Sequence, residues 1–101
     1  MSKELLASSE TAYELVSEYS RDLQGFIDQM AEETSAVEAA LQTMGNHWEG
    51  ELYDDFAKNV RKKMTDIRSQ LERGDALKKT LDKASGRLQR IVEMLRISSE
   101  Q

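Results

Sequence analysis

At 101 residues the chain holds one domain at most, and with only 6% aromatic residues its core must be aliphatic and thin. A third of the residues are charged and none is proline, which favours long uninterrupted helices over sheet. Cysteine is absent, so disulfides, thiolate metal sites and cysteine nucleophiles are excluded, and the redox compartment stays open.

Residues 1 to 8 read as a short lead-in, with Leu5-Leu6 apolar, Ser8 or Ser9 as N-cap and Glu10 in the first turn beyond it. No apolar run there is long enough for a signal peptide or a membrane span. A helix is predicted over about residues 9 to 44. Its heptad places Val16, Leu23, Met30, Val37 and Met44 at a, and Ala12, Tyr19, Phe26, Glu33 and Ala40 at d. Tyr13, Ile27 and Leu41 at e widen the stripe beyond a two-helix seam, which makes them candidates for contact with a further helix.

Residues 45 to 50 are the predicted hinge. Gly45-Asn46 suits the left-handed residue that ends a helix, and Gly50 permits positive φ before the next one. Trp48 is a large ring in an otherwise polar turn. It reads either as a lid over the last apolar layer, near Met44 and Leu52, or as an exposed anchor for a partner.

A second helix is predicted over about residues 51 to 97, making residues 1–101 a single hairpin domain. Glu51, Asp54 and Asp55 favour its positively polarised start. Tyr53, Val60, Ile67, Gly74, Leu81, Leu88 and Leu95 fall at a, and Phe56, Lys63, Gln70, Leu77, Ala84 and Ile91 at d. Met64, Leu71 and Val92 at e broaden this face as well. The apolar phase runs through Gly74, so one helix is predicted rather than two.

Folded at Trp48, the two heptads oppose residues whose numbers sum to 96 or 97. That register sets Val37 against Val60, Met30 against Ile67, Leu23 against Gly74, and Glu33, the one acid of the first seam, against Lys63, the one base of the second. The arms are also electrostatic complements. Residues 1–47 carry nine acids and two bases, net −7, and residues 58–96 carry twelve bases and five acids, net +7. Two helices bury little alone, so a second copy or a partner chain is expected.

No enzyme is predicted. His47 is the sole histidine, with no second one to complete a metal set, and no glycine loop cradles phosphate. Neighbouring acids such as Glu32-Glu33 and Asp54-Asp55 diverge by about 100° on a helix and so do not form an acid/base couple. No cofactor or metal is expected. Lys58, Arg61, Lys62 and Lys63 could touch phosphate, but the acidic partner helix, the net charge of −5 and the lack of a stacking platform argue against nucleic acid. Stable membrane insertion is not expected either.

The length, the two long helices and Trp48-Glu49-Gly50 as a W-x-G at the midpoint, followed by Phe56, resemble the WXG-100 family, the early-secreted-antigen-like substrates of type VII secretion. The resemblance covers essentially the whole chain. It implies an all-α, antiparallel two-helix hairpin that pairs into a four-helix bundle, as a homodimer or with a related hairpin protein or the N-terminal helical region of a larger toxin. It further implies export by a secretion ATPase without a cleavable signal peptide, from the cytoplasm, with Trp48 and Gly50 forming a notch at the bundle end. Many members carry a C-terminal Tyr-x-x-x-Asp/Glu signal, whereas residues 80–101 contain no aromatic, so a partner would have to supply it. The alternative reading is a cytosolic helical adaptor unrelated to export, with nucleic acid as one partner.

Overall fold

The computed structural model describes residues 2–48 and 50–100; Met1, Gln101 and Glu49, the middle residue of the W-x-G, lie outside the described residues, as does the side chain of Ser2. Two helices, α1 (Ser2–His47) and α2 (Glu51–Glu100), account for nearly all of them and are packed against each other as a helical hairpin. No strand occurs among the described residues.

α1 starts ahead of the predicted cap. Ser9 is a buried residue inside the helix, and Glu4 is the acid of the first turn. At the other end α1 runs through Gly45-Asn46 to His47, so these residues do not provide the left-handed break that their types suggested. Gly50 does so, at φ 121°, the one positive φ among the described residues. The Trp48 amide donates to the Met44 carbonyl (2.8 Å) and the Asp54 amide to the Gly50 carbonyl (3.1 Å), so helical hydrogen bonding reaches both edges of the connection. α2 continues unbroken through Gly74 and Gly86.

The chain forms two compact units. One is Gly25–Asp75, which contains the connection, and the other combines Met1–Gln24 with Ala76–Gln101.

In the connection-bearing unit the buried apolar residues are Ile27, Leu41, Ala57 and Met64, joined by buried Thr34. All five occupy column e. The predicted seam was a with d, and the observed seam is a with e. Column d turns outward, leaving Phe26 58% and Phe56 46% exposed. Sterics account for the choice. Thr34 and Ala57 are small, and Gly74 admits the Ile27 side chain, whose Cδ1 lies 3.3 Å from where a Cβ would stand. Phenylalanine rings at d would hold the helices apart, whereas short residues at e let the backbones approach. Gly74 therefore accommodates Ile27, one helical turn along from the predicted Leu23. Burying Thr34 is tolerated because its hydroxyl donates to the Met30 carbonyl (2.7 Å).

The same unit is locked at its end by Tyr53, whose hydroxyl donates to the Leu41 carbonyl (2.8 Å). The ring crosses so close to Gly45 that a Cβ there would meet the hydroxyl oxygen at 2.5 Å. Gly45 is thus a close-approach glycine rather than a helix terminator. On the same side Arg68 pairs with Glu38.

The terminal unit has a more polar seam. Ser9 and Ser20 are buried, Ser17 and Ser85 share a hydrogen bond (2.9 Å), and Val92 is its buried apolar residue. The Ser20 hydroxyl donates to one oxygen of Asp82, and the Lys78 ammonium to the other (2.7 Å). The hydrogen bond from Lys78 chiefly, then that from Ser20, holds the Asp82 carboxyl below its ordinary value, against a weaker opposing effect of desolvation. Arg96 reaches Glu10 at 3.2 Å.

Two predictions follow from these seams. Gly45→Ala gains helix propensity of up to about 1 kcal/mol but displaces Tyr53, and overpacking typically costs about 1–3 kcal/mol. Urea denaturation should therefore show net destabilisation that shrinks when Tyr53→Phe is combined with it; additive effects would mean that the ring does not press on Gly45. For Asp82, a depressed folded-state pKa means that its contribution to stability is complete above the unfolded value of about 4 and is lost as pH falls through the lower folded value. A carboxyl-carbon NMR titration should place the Asp82 midpoint below that of an unfolded peptide, and Ser20→Ala should raise it. A midpoint at or above the peptide value would contradict the arrangement.

Candidate protein-interaction face

The heptad places columns a and d of both helices on one side of the connection-bearing unit, with e beneath them. Met30, Glu33, Val37, Val60, Lys63 and Ile67 line an open cleft there of about 280 Å³, floored by Thr34 and Met64. Three predicted layers meet in it: Val37 with Val60, Glu33 with Lys63, and Met30 with Ile67. Its walls are aliphatic apart from that single acid and single base. Phe26 and Phe56 occupy the same d columns, and Val37 is 44% exposed.

The other side of this unit differs in kind. Glu38, Gln42, Asn46, Arg61, Thr65 and Arg68 line a wider cleft of about 760 Å³ with Leu41, Gly45, Tyr53 and Met64. There the Glu38–Arg68 ion pair and the Tyr53 hydroxyl bond satisfy polar groups within the chain. One side is thus polar and internally tied, and the other is apolar and uncovered. The terminal unit repeats the contrast, with the Glu10–Arg96 ion pair against exposed Tyr19, Leu77 and Ile91 in column d.

The residues expected to contact a partner fall elsewhere. Ile27, Leu41, Met64 and Val92 are buried within the hairpin, and Tyr13 and Leu71 are half-buried. Column e is where the two helices bury each other within the chain, which leaves Ile27, Leu41, Met64 and Val92 little exposed surface. Leu41 and Met64 line the wide cleft together, and Tyr13 and Val92 share a small cleft with Glu10 and Arg96. Column d was missed as the outward face because Tyr19, Phe26 and Phe56 looked like core by hydrophobicity alone. The small residues at e, among them Ser20, Thr34, Ala57 and Ser85, were the available signal that the helices approach along that line.

Trp48 is 59% exposed, so it is no lid over the last layer. Leu52, 89% exposed, and Phe56 follow it at four-residue intervals, extending apolar surface along the start of α2. Gly50 is exposed, and nothing within 4 Å would meet a Cβ there, so its requirement is conformational.

Among the described residues no group of three or more His, Asp or Glu side chains is placed to hold a metal ion, and no helix is long and apolar enough to cross a membrane. Comparison with protein-family models, curated proteins and solved structures finds no match to this chain.

The exposure of Trp48 generates a direct prediction. As the only tryptophan, its fluorescence should be red-shifted and readily quenched by acrylamide, and Trp48→Ala should change unfolding free energy by no more than about 0.5 kcal/mol. A loss of about 3–5 kcal/mol, as for a buried ring, would contradict an exposed indole.

Proposed function

We propose that the chain is a WXG-100-like helical partner protein of a type VII secretion system, acting as substrate or adaptor by pairing through its apolar face with a second helical hairpin. The carrying observation is the pair of contrasting sides in the connection-bearing unit: one is polar and ties Glu38 to Arg68 and Tyr53 to the Leu41 carbonyl, and the other leaves Phe26, Val37, Phe56 and an aliphatic cleft uncovered. A four-helix bundle is the simplest way to cover such a side, because a second hairpin supplies two more apolar stripes. The W-x-G connection, with its exposed ring and its glycine at positive φ, supports the export reading. In that reading Trp48 is presented to the secretion machinery or a neighbouring chain, and contributes little to holding the hairpin together.

A cytosolic adaptor unrelated to export would use the same face. The two readings separate in the producing cell. On the export reading the protein accumulates in culture supernatant only when the secretion ATPase is intact, and Trp48→Ala reduces the secreted fraction without lowering the intracellular level. Supernatant levels indifferent to the ATPase would remove the export reading in favour of the adaptor.

A further inference from the structure

We propose that the wide cleft on the polar side of the connection-bearing unit is a groove for a short acidic segment of another protein, held extended with a carboxylate on Arg61 and its backbone on Gln42 and Asn46. The proposal is independent of the pairing and export readings, because this cleft lies on the side of the unit away from the apolar face.

Electrostatics set the class of ligand. The chain is net −5, yet residues 39–48 and 57–65 carry Lys58, Arg61, Lys62 and Lys63 and no acid. Of these bases Arg61 lines the cleft, together with Arg68 and Glu38. Glu38 is the single carboxylate of the lining and is engaged by Arg68. Arg61 is thus a cation without a counter-charge: among the described residues no hydrogen bond or ion pair involves its guanidinium. Its planar fork of N–H donors matches a carboxylate, which it can hold through two parallel hydrogen bonds.

Spacing sets the conformation of the ligand. Gln42 and Asn46 lie one turn apart on the α1 wall of the cleft, and their amides likewise have no partner among the described residues. Four helical residues rise about 6 Å, and an extended chain repeats its same-facing backbone groups every two residues, about 6.8 Å. Each amide carries both donors and an acceptor, so the pair can bond successive backbone groups of an extended strand, whereas a helical ligand has already paired its own. Between the walls, Leu41 and Met64 are buried and form an apolar floor, over which hydrogen bonds meet less competition from water. From Glu38 to Asn46 α1 rises about 12 Å, the span of about four extended residues.

The source of the strand follows from the fold. All described acids of this chain lie in the two helices, so an extended acidic segment comes from another protein. A nucleic-acid strand fits less well, because the one aromatic of the lining, Tyr53, is bonded to the Leu41 carbonyl and packed on Gly45, which leaves no free platform for a base.

The test is an NMR titration of the isotope-labelled full chain with the peptide Ac-Thr-Glu-Thr-Glu-Thr-Glu-Thr-NH2, which presents a carboxylate at every second residue whatever its register, and with its Gln-for-Glu counterpart. The acidic peptide should shift the side-chain amide signals of Gln42 and Asn46 together with the Nε–H signal of Arg61, and the counterpart should bind at least about tenfold more weakly. Arg61→Gln should weaken the acidic peptide at least about tenfold, whereas Lys62→Gln, which removes an equal charge one residue away but outside the cleft lining, should change its affinity by less than about threefold. Equal losses from both variants would reduce the binding to overall charge and overturn the groove. Shifts confined to other surfaces, or none at millimolar peptide, overturn it as well. An oligothymidylate of about eight nucleotides that moves the same signals at least as readily assigns the cleft to phosphate and overturns the peptide. Complex formation with a second hairpin and the supernatant assay answer separately for pairing and export.

Discussion

Close approach of two helices is the constraint on which the rest depends. Two helices meet along the stripes whose side chains fit together, and here that stripe includes column e, where short Ser20, Thr34, Ala57 and Ser85 are interspersed with buried Ile27, Leu41, Met64 and Val92, helped by Gly74 under Ile27 and Gly45 under Tyr53. With column e in the seam, column d is turned out of it. Tyr19, Phe26, Phe56, Leu77 and Ile91 are carried to an outer side of their own unit, where no residue of the chain covers them fully. The exposed apolar surface is therefore a direct consequence of how the seam is built.

The same constraint explains what was legible in the sequence. Two helices, their single connection and the uninterrupted passage through Gly74 follow from heptad phase and the absence of proline, which are local properties. The cleft layers Val37–Val60, Glu33–Lys63 and Met30–Ile67 follow from counting residues outward from the connection. Which stripe faces inward does not follow from hydrophobicity, because a phenylalanine at d scores as core whether it meets its own chain or another. The available hint is that column e carries small polar residues, Ser20, Thr34 and Ser85, whose burial beside Ile27, Leu41 and Met64 the heptad pattern alone does not reveal. The close-approach role of Gly45 was illegible for a related reason: it depends on Tyr53, eight residues away across the connection.

Polar groups divide along the same geometry. Each unit has an ion pair that joins its two helices on the side away from its exposed apolar side chains, Glu38–Arg68 in one and Glu10–Arg96 in the other. Both are surface contacts, and such pairs typically contribute up to about 1 kcal/mol each. Their value lies more in satisfying one side of a unit than in holding it together. The terminal unit relies further on polar contacts within the seam, where Ser17 meets Ser85 and Ser20 meets Asp82. A neutral hydrogen bond such as Ser17–Ser85 contributes about 0.5–1.5 kcal/mol net, less than a well-buried aliphatic side chain. The seams of the two units thus differ in composition, with buried apolar residues concentrated around the connection and more hydroxyl groups near the termini.

Only five apolar side chains are buried among the described residues: Ile27, Leu41, Ala57, Met64 and Val92. Burial of a large aliphatic side chain stabilises by about 1.5–3 kcal/mol, whereas fixing each backbone residue costs about 1–2 kcal/mol. A seam of this size can set helix orientation, but it leaves little surplus against ordering two helices of 46 and 50 residues. Covering the d columns would remove further apolar area from water without ordering more backbone in this chain. Folding and the proposed pairing would then draw on the same surface, the rings that stay outside the seam being the ones that a second hairpin would cover.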